Sequence, residues 1–303
     1  MLATAPDVAS ARGRHGHHPT GNERVAVIIP VYRDWQRLER CLDALARQSI
    51  SAEQFEIIVV DNESEPKPAA INFPINARLI HEPRPGSYVA RNAGIAVARA
   101  PVLAFTDSDC VPDRDWLSNG LAALAQHAGS RVTGPVPIFM EPGASRIAHL
   151  YELHTAFPQL AYVRNGHCVT ANLFVERSEF DRVGLFDECF SGGDTRWGRR
   201  AQAQGVPIVH VEGVRVFHPA RCSVSDILHK SRRTGGSLPR YSTLRAFLWR
   251  KVRPPVWLIK RLRREQLGMV DALLLFAIHW ASRVTEVTEY GLVQLGAKSP
   301  PRA

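Results

Sequence analysis

Apolar positions along the chain follow two rhythms, and their alternation predicts a layered α/β fold. Val25-Ala26-Val27-Ile28-Ile29 is an unbroken apolar run that stops at Pro30, as expected of a strand buried on both faces. Leu38, Cys41, Leu42 and Leu45 then recur at helical spacing with charges between them. A second buried strand is predicted over Phe55–Val60, ending in Asp61-Asn62-Glu63-Ser64, and a shorter third over Ala77–His81. Pro83 to Ser87 turns, and Val89 to Ala98 reads as a small-residue helix able to pack closely on a sheet. Val102–Phe105 is the fourth strand and runs into Thr106-Asp107-Ser108-Asp109-Cys110. Strand, helix, strand, then turn, helix, strand is the order of right-handed crossover units and a parallel sheet.

Further along, a helix is predicted over Trp116–His127 and an interrupted strand over Val132–Ile138. A helix follows over Ile147–Phe157, then a strand over Val169–Val175. A glycine-rich loop, Ser191-Gly192-Gly193-Asp194, opens a helix that continues to Gln204, and two short strands lie within Val206–Phe217 before His218-Pro219. Residues 1–23 lack periodicity and read as a disordered tail; the cluster His15-Gly16-His17-His18 within them reads as part of a solvated basic tail. Residues 24–240 are expected to form one domain, divided into 24–110 and 111–240. Residues 241–303 are a basic, aromatic helical extension. There, Arg245, Arg250, Lys251, Arg253, Lys260 and Arg261 alternate with Phe247, Trp249 and Trp257, ahead of the apolar stretch Met269–Ile278. Such a mixture suits a helix lying in an anionic membrane interface and equally an appendage packed on its own domain.

Composition sharpens this picture in two respects. Net charge is +9 over 303 residues, which implies an anionic partner: a nucleotide sugar, an acidic membrane or nucleic acid. Five cysteines are scattered with no Cys-x-x-Cys pair, as expected of reduced thiols in a cytoplasmic protein rather than a disulfide framework or zinc site. The start of the chain has no signal-peptide pattern, and no apolar run is long enough for a spanning helix.

Candidate chemistry begins with Asp107 and Asp109. Residues two apart at a strand end point to one side, and two carboxylates held together call for a cation between them. Asp61, also at a strand end, is placed where ligands bind in parallel sheets, outside the carboxyl ends of the strands.

Taken in order, several motifs resemble those of family 2 glycosyltransferases. They are Pro30-Val31-Tyr32, Asp61-Asn62-Glu63-Ser64, Gly86-Ser87-Tyr88-Val89-Ala90-Arg91-Asn92-Ala93-Gly94, Asp107-Ser108-Asp109, Gly184-Leu185-Phe186-Asp187 and Gly192-Gly193-Asp194. The likeness spans about residues 24–222. The chain departs from the common pattern at Glu63, where many members carry glycine, and after Asp194, where Thr195-Arg196-Trp197 lacks a further acid.

This resemblance implies a GT-A fold, Rossmann-like with a mostly parallel central sheet flanked by helices. It implies an inverting enzyme that moves a sugar from a nucleoside diphosphate donor, UDP- or dTDP-linked, to a hydroxyl acceptor. A Mn²⁺ or Mg²⁺ ion would sit on Asp109, with Asp107 nearer the ribose or reached through water, and His218 as a third ligand. Asp61 would accept the base imide N–H between Pro30 and Tyr32. Glu63, Arg91, Ser108 and Asn172 are assigned to the donor, with Arg91 paired to an acid of the site. Asp194 would be the base that deprotonates the acceptor, and Trp197 would stack on the acceptor sugar or fill the core. Lys230-Ser231-Arg232-Arg233 would close over the diphosphate or form a solvated face.

The expected acceptor is lipid-linked or a polysaccharide, met at the inner membrane face, and a homo-oligomer is left open. A metal-dependent nucleotidyltransferase is the rival reading, although the glycine-rich basic loop it wants after the first strand is missing. A nucleic-acid-binding protein would explain the charge but not acids at strand ends, and no nucleic-acid motif is present.

Overall fold

The computed structural model describes residues 23–66, 71–238, 255–299 and 301. The histidine-bearing tail, and residues 239–254 with much of the basic aromatic segment, lie outside the described residues. A seven-stranded sheet has the order β3-β2-β1-β4-β8-β6-β9. Its parallel half is β1 (Val25–Val31), β2 (Phe55–Asp61), β3 (Ala77–His81) and β4 (Val102–Phe105), linked by α1 (Trp35–Ala46) and α2 (Ser87–Val97). The other half enters through β8 (Leu173–Glu176), which runs antiparallel to both β4 and β6 (Arg131–Thr133), and β9 (Ile208–His210) pairs in parallel with β6. A second sheet sets β10 (Val216–Pro219) between β5 (Val111–Pro112) and β7 (Ile138–Phe139). Helices α3 (Trp116–Gln126), α4 (Arg146–Thr155), α5 (Gln159–Arg164), α6 (Ser178–Val183), α7 (Gly193–Ala203) and α8 (Val224–Gly236) fill the connections. Two C-terminal helices follow, α9 (Val256–Arg264) and α10 (Met269–Gln294).

Two apolar cores lie on opposite faces of the main sheet, because successive strand residues point to opposite sides. Val25, Val27, Ile29 and Val31 face Leu38 and Leu42 of α1 and Trp116 and Leu117 of α3. Ala26 and Ile28 face Ala90 and Ile95 of α2 and Trp197 of α7. The small residues of α2 let it lie close to the sheet. A Cβ on Gly94 would fall 2.6 Å from Cγ2 of Ile28, so the helix needs glycine there.

The strand expected to stop at Pro30 continues through it to Val31. Ile28 C=O accepts from Thr106 on the β4 side, whereas Val31 C=O accepts from Asn62 on the β2 side. Pro30 shares the parity of Ile28, so its missing N–H faces β4 beyond Ile28–Phe105, the last pair of that ladder. No ladder bond is lost, which is why proline is tolerated. Helix α8 was not predicted by periodicity. Its start is a capping box: Ser223 Oγ accepts from Asp226 N at 3.2 Å, and Asp226 Oδ2 accepts from Ser223 N at 3.0 Å.

The C-terminal helices pack against the domain. Leu275 and Ile278 of α10 and Leu258 and Leu262 of α9 form one core with Ala148 and Tyr151 of α4 and Ile227 of α8. Arg146 grips Asp271 with two bonds, 2.9 and 2.7 Å. The outer side of α10 still exposes Met269, Val270, Leu273, Leu274, Trp280 and Val284. No described helix is long and apolar enough to cross a membrane.

Candidate active site

A cavity of about 790 Å³ opens beyond the carboxyl ends of β1 and β4. The sheet side contributes Pro30, Tyr32, Asn62, Arg91, Asp107, Ser108 and Asp109. The start of α7 contributes Asp194, and β10 and α8 contribute His218, Lys230 and Arg233.

The two acids of the Asp-Ser-Asp turn have different partners. Asp107 C=O accepts from Cys110 N at 3.1 Å, which curls the chain so that both side chains enter the cavity. Arg91, 4% exposed, pairs its guanidinium with Asp107 and lies 5.2 Å over the Tyr88 ring. Asp109 instead stands 3.6 Å from His218 Nε2. His218 Nδ1 is 2.7 Å from the Pro219 carbonyl. A carbonyl only accepts, so Nδ1 carries the hydrogen of that bond, and Nε2 is the nitrogen that faces Asp109.

Donor atoms of Asp107, Asp109, Cys110 and His218 all lie within 4.8 Å of one another. Two carboxylates and one imidazole nitrogen fit a divalent cation. Cys110 does not compete, because burial pushes its thiol well above the usual range and the Asp109 and Asp107 charges add to this.

Asp194 occupies the second position of α7, after Gly192 in the left-handed region at φ 78° and Gly193. A Cβ on Gly193 would fall 2.7 Å from the Tyr88 ring, so glycine lets the helix end rest on that ring. Asp194 is not the N-cap. Its Oδ1 accepts from Thr195 N at 2.7 Å, and an acid in the first turn is favoured by the helix dipole. Its other oxygen has no hydrogen bond among the described residues. Across the cavity, burial and then the Asp194 charge push the Tyr162 phenol up to about 12.

Four sequence expectations need correction. Asn172 is fully buried: its Oδ1 accepts from Trp116 Nε1 at 3.0 Å and its Nδ2 donates to Val214 C=O at 2.8 Å. It pins β8 to its neighbours and does not line the cavity. Trp197 is 1% exposed, stacked on Phe180 at 4.6 Å with Nε1 donating to Gly184 C=O; it fills the core and cannot stack on a sugar. Asp61 is 3% exposed and spends Oδ1 on Ser64 N at 3.0 Å, with Oδ2 3.4 Å from His81 Nδ1. Glu63 pairs with the other nitrogen of His81 at 2.9 Å. Neither acid is among the residues lining the cavity, because the turn and His81 use them.

Sequence reasoning passed over Arg221, Phe157, Tyr162 and His167, all of which line the cavity. They come from connections that carry no motif. The signal for the α8 residues was present in their spacing. Positions 230, 233 and 234 share one helical face, while Arg232 is turned to solvent.

A family model, Glycosyl transferase family 2, matches residues 26–200. The chain is similar to Glycosyltransferase AglE of Haloferax volcanii, 31% identical over 285 residues that cover 86% of this chain and 93% of that protein. It is also similar to Validoxylamine A glucosyltransferase of Streptomyces hygroscopicus subsp. limoneus, 29% identical over 241 residues that cover 66% of this chain and 52% of that one. Among solved structures, mannosyltransferase PcManGT from Pyrobaculum calidifontis, in complex with GDP-Man and Mn²⁺, superposes with a TM-score of 0.60 at 17% identity, covering 94% of this chain and 91% of that one. That likeness shows a shared fold. The strand order, the cavity at the strand ends and the family match agree: this chain belongs to glycosyl transferase family 2 and is a glycosyltransferase of the GT-A fold.

Proposed function

We propose that this enzyme transfers a sugar from a nucleoside diphosphate donor to a hydroxyl acceptor by a single displacement with inversion. The observation that carries the reading is that Asp107, Asp109, His218 and Asp194 border one cavity. A divalent ion on Asp109 and His218, with Asp107 beside it, would supply positive charge for the departing diphosphate. Pro30 and Tyr32 flank the nucleobase at the end of β1. Arg91 fixes Asp107 so that its carboxylate keeps one orientation. Asp194 takes the proton of the acceptor hydroxyl as that oxygen bonds to the anomeric carbon. The bond from that carbon to the phosphate oxygen breaks, and the electron pair leaves with the diphosphate.

Asp61 is engaged by Ser64 and His81, so it supplies no argument for uracil or thymine. UDP- and dTDP-linked sugars are kept as donors, and GDP-linked ones join them because the structural relative binds GDP-Man. A lipid-linked acceptor at an anionic membrane surface fits the apolar outer side of α10 and the net charge of +9.

A panel of nucleotide sugars, assayed with Mn²⁺ and after chelation, tests the reading; product anomers are read by NMR. Transfer with inversion that collapses on chelation is expected. Asp194→Asn should keep donor affinity and lose about 10²–10⁴ in turnover. Near-normal turnover by that variant would remove Asp194 as base. Pyrophosphate released from a nucleoside triphosphate would support the nucleotidyltransferase instead.

A further inference from the structure

Helix α8 presents cations to the cavity that the chain does not neutralise. Arg221, just before the helix, is bound to Glu152: its N–H donates to Oε2 at 2.9 Å and its guanidinium takes the other oxygen. Lys230 Nζ stands 4.0 Å from that same carboxylate, at the limit of an ion pair. Arg233 forms no ion pair among the described residues, and its Nε is buried with no hydrogen-bond partner. One carboxylate thus stands beside two cations, Arg221 and Lys230, and Arg233 has no ion pair of its own among the described residues. Burial, then the Arg221 charge, pushes the Lys230 ammonium down to about 7 even with Glu152 present. Its side chain is 39% open and lines the cavity. Crowded like charges in a partly dry wall are unfavourable unless an anion arrives.

The position of this wall identifies the anion. The Phe157 ring touches both sides, 5.6 Å from Lys230 Nζ and 4.7 Å from the His218 ring. The charges of Asp107 and Arg91 both act on Arg233. The wall therefore faces the Asp107–Asp109–His218 cluster across a gap that the donor's diphosphate would fill.

We propose that Lys230 and Arg233 are the second jaw of a diphosphate clamp and bind the phosphate oxygens directly, so that a pyrophosphate group is held by this chain even without a metal. The proposal rests on the nucleoside diphosphate sugar reading. It gives these two cations a role: cleavage leaves one more negative charge on the diphosphate than the ester carried, and a preorganised cationic wall stabilises the leaving form more than the bound donor.

Isothermal titration of inorganic pyrophosphate into metal-free wild-type protein tests this without any substitution. Binding is expected, in competition with nucleoside diphosphate. Lys230→Met and Arg233→Met should each weaken it tenfold or more, and Lys230→Arg should return it to within about threefold of wild type. Melting curves check that the variants fold. Met variants that bind pyrophosphate as wild type does would overturn the clamp. So would simultaneous binding of pyrophosphate and nucleoside diphosphate, which would give the wall to a phosphate on the acceptor. A wild-type protein that binds no nucleoside diphosphate even with Mn²⁺ would instead sink the donor reading itself. In that case the Mn²⁺-supported signal disappears, whereas it persists if only the clamp is wrong.

Discussion

Replacing Asn172 separates a residue that holds the fold from one that holds the donor. Asn172→Ala would leave the Trp116 Nε1 hydrogen and the Val214 carbonyl without partners in a fully buried place, and would also remove a longer bond of 3.3 Å to the Pro135 carbonyl. Each orphaned buried polar group costs about 1–3 kcal/mol. With some relaxation, the sum is about 3–5 kcal/mol. At roughly 2 °C per kcal/mol for a chain of this size, the melting temperature should fall by about 6–10 °C. Asn172→Asp is the sharper companion. It keeps an acceptor for Trp116 but sets a carboxylate against two carbonyls, so the native state favours its protonated form. With the native pKa raised above the unfolded one, its stability is best at low pH and is lost as pH rises above about 4. Thermal and urea melts give the stabilities, and calorimetry gives nucleoside diphosphate affinity, expected within about threefold of wild type. A melting temperature within a degree of wild type, together with a tenfold loss of affinity, would refute the core assignment.

Pyrophosphate affinity of metal-free protein should fall as pH rises through about 7, where the Lys230 ammonium titrates among Glu152, Arg221, Arg233 and Asp109. An anion raises that pKa, so binding takes up a proton; one linked proton makes affinity about tenfold weaker at pH 8 than at pH 6. Lys230→Arg should flatten the profile, and a flat wild-type profile would count against the linkage. The exposed side of α10 should bind anionic vesicles. Leu273→Glu with Trp280→Glu should abolish co-sedimentation while the melting temperature holds, and unchanged co-sedimentation would exclude that face.

The parallel half of the fold was legible because its central strands are largely apolar runs and the first connection carries a helical period. Ala77–His81 coincides with the observed strand, and Leu38, Cys41, Leu42 and Leu45 form the buried face of α1. Acids at the ends of those strands were legible for the same reason, since a run of four apolar residues before Asp107 leaves little choice about where it sits. Predictions weakened where tertiary contacts decide. Asn172 and Trp197 sit in or near motifs, yet whether a side chain at such a position faces the ligand or the core depends on partners far away in sequence: Trp116 for one, Phe180 and Gly184 for the other. The second jaw was hardest to read, because its cations lie in a run of basic residues where only helical phase sorts Lys230 and Arg233 from Arg232.

That helical phase is itself held by the C-terminal helix. A Cβ on Gly235 would fall 2.4 Å from the Glu286 carbonyl oxygen, so α8 and α10 touch backbone to backbone one turn from Lys230 and Arg233. Ile227, Leu275 and Ile278 close the same contact from the apolar side. Helix α10, from the stretch expected as an extension of the domain, thus braces a wall of the cavity. Cutting the chain near Thr243 would remove the exposed apolar side of α10 and the brace on α8 together, so a truncated protein that lost activity would not tell the two apart. Substitutions on the outer side of α10 leave Ile227 covered and α8 in register, and for that reason they are the changes that separate attachment from catalysis.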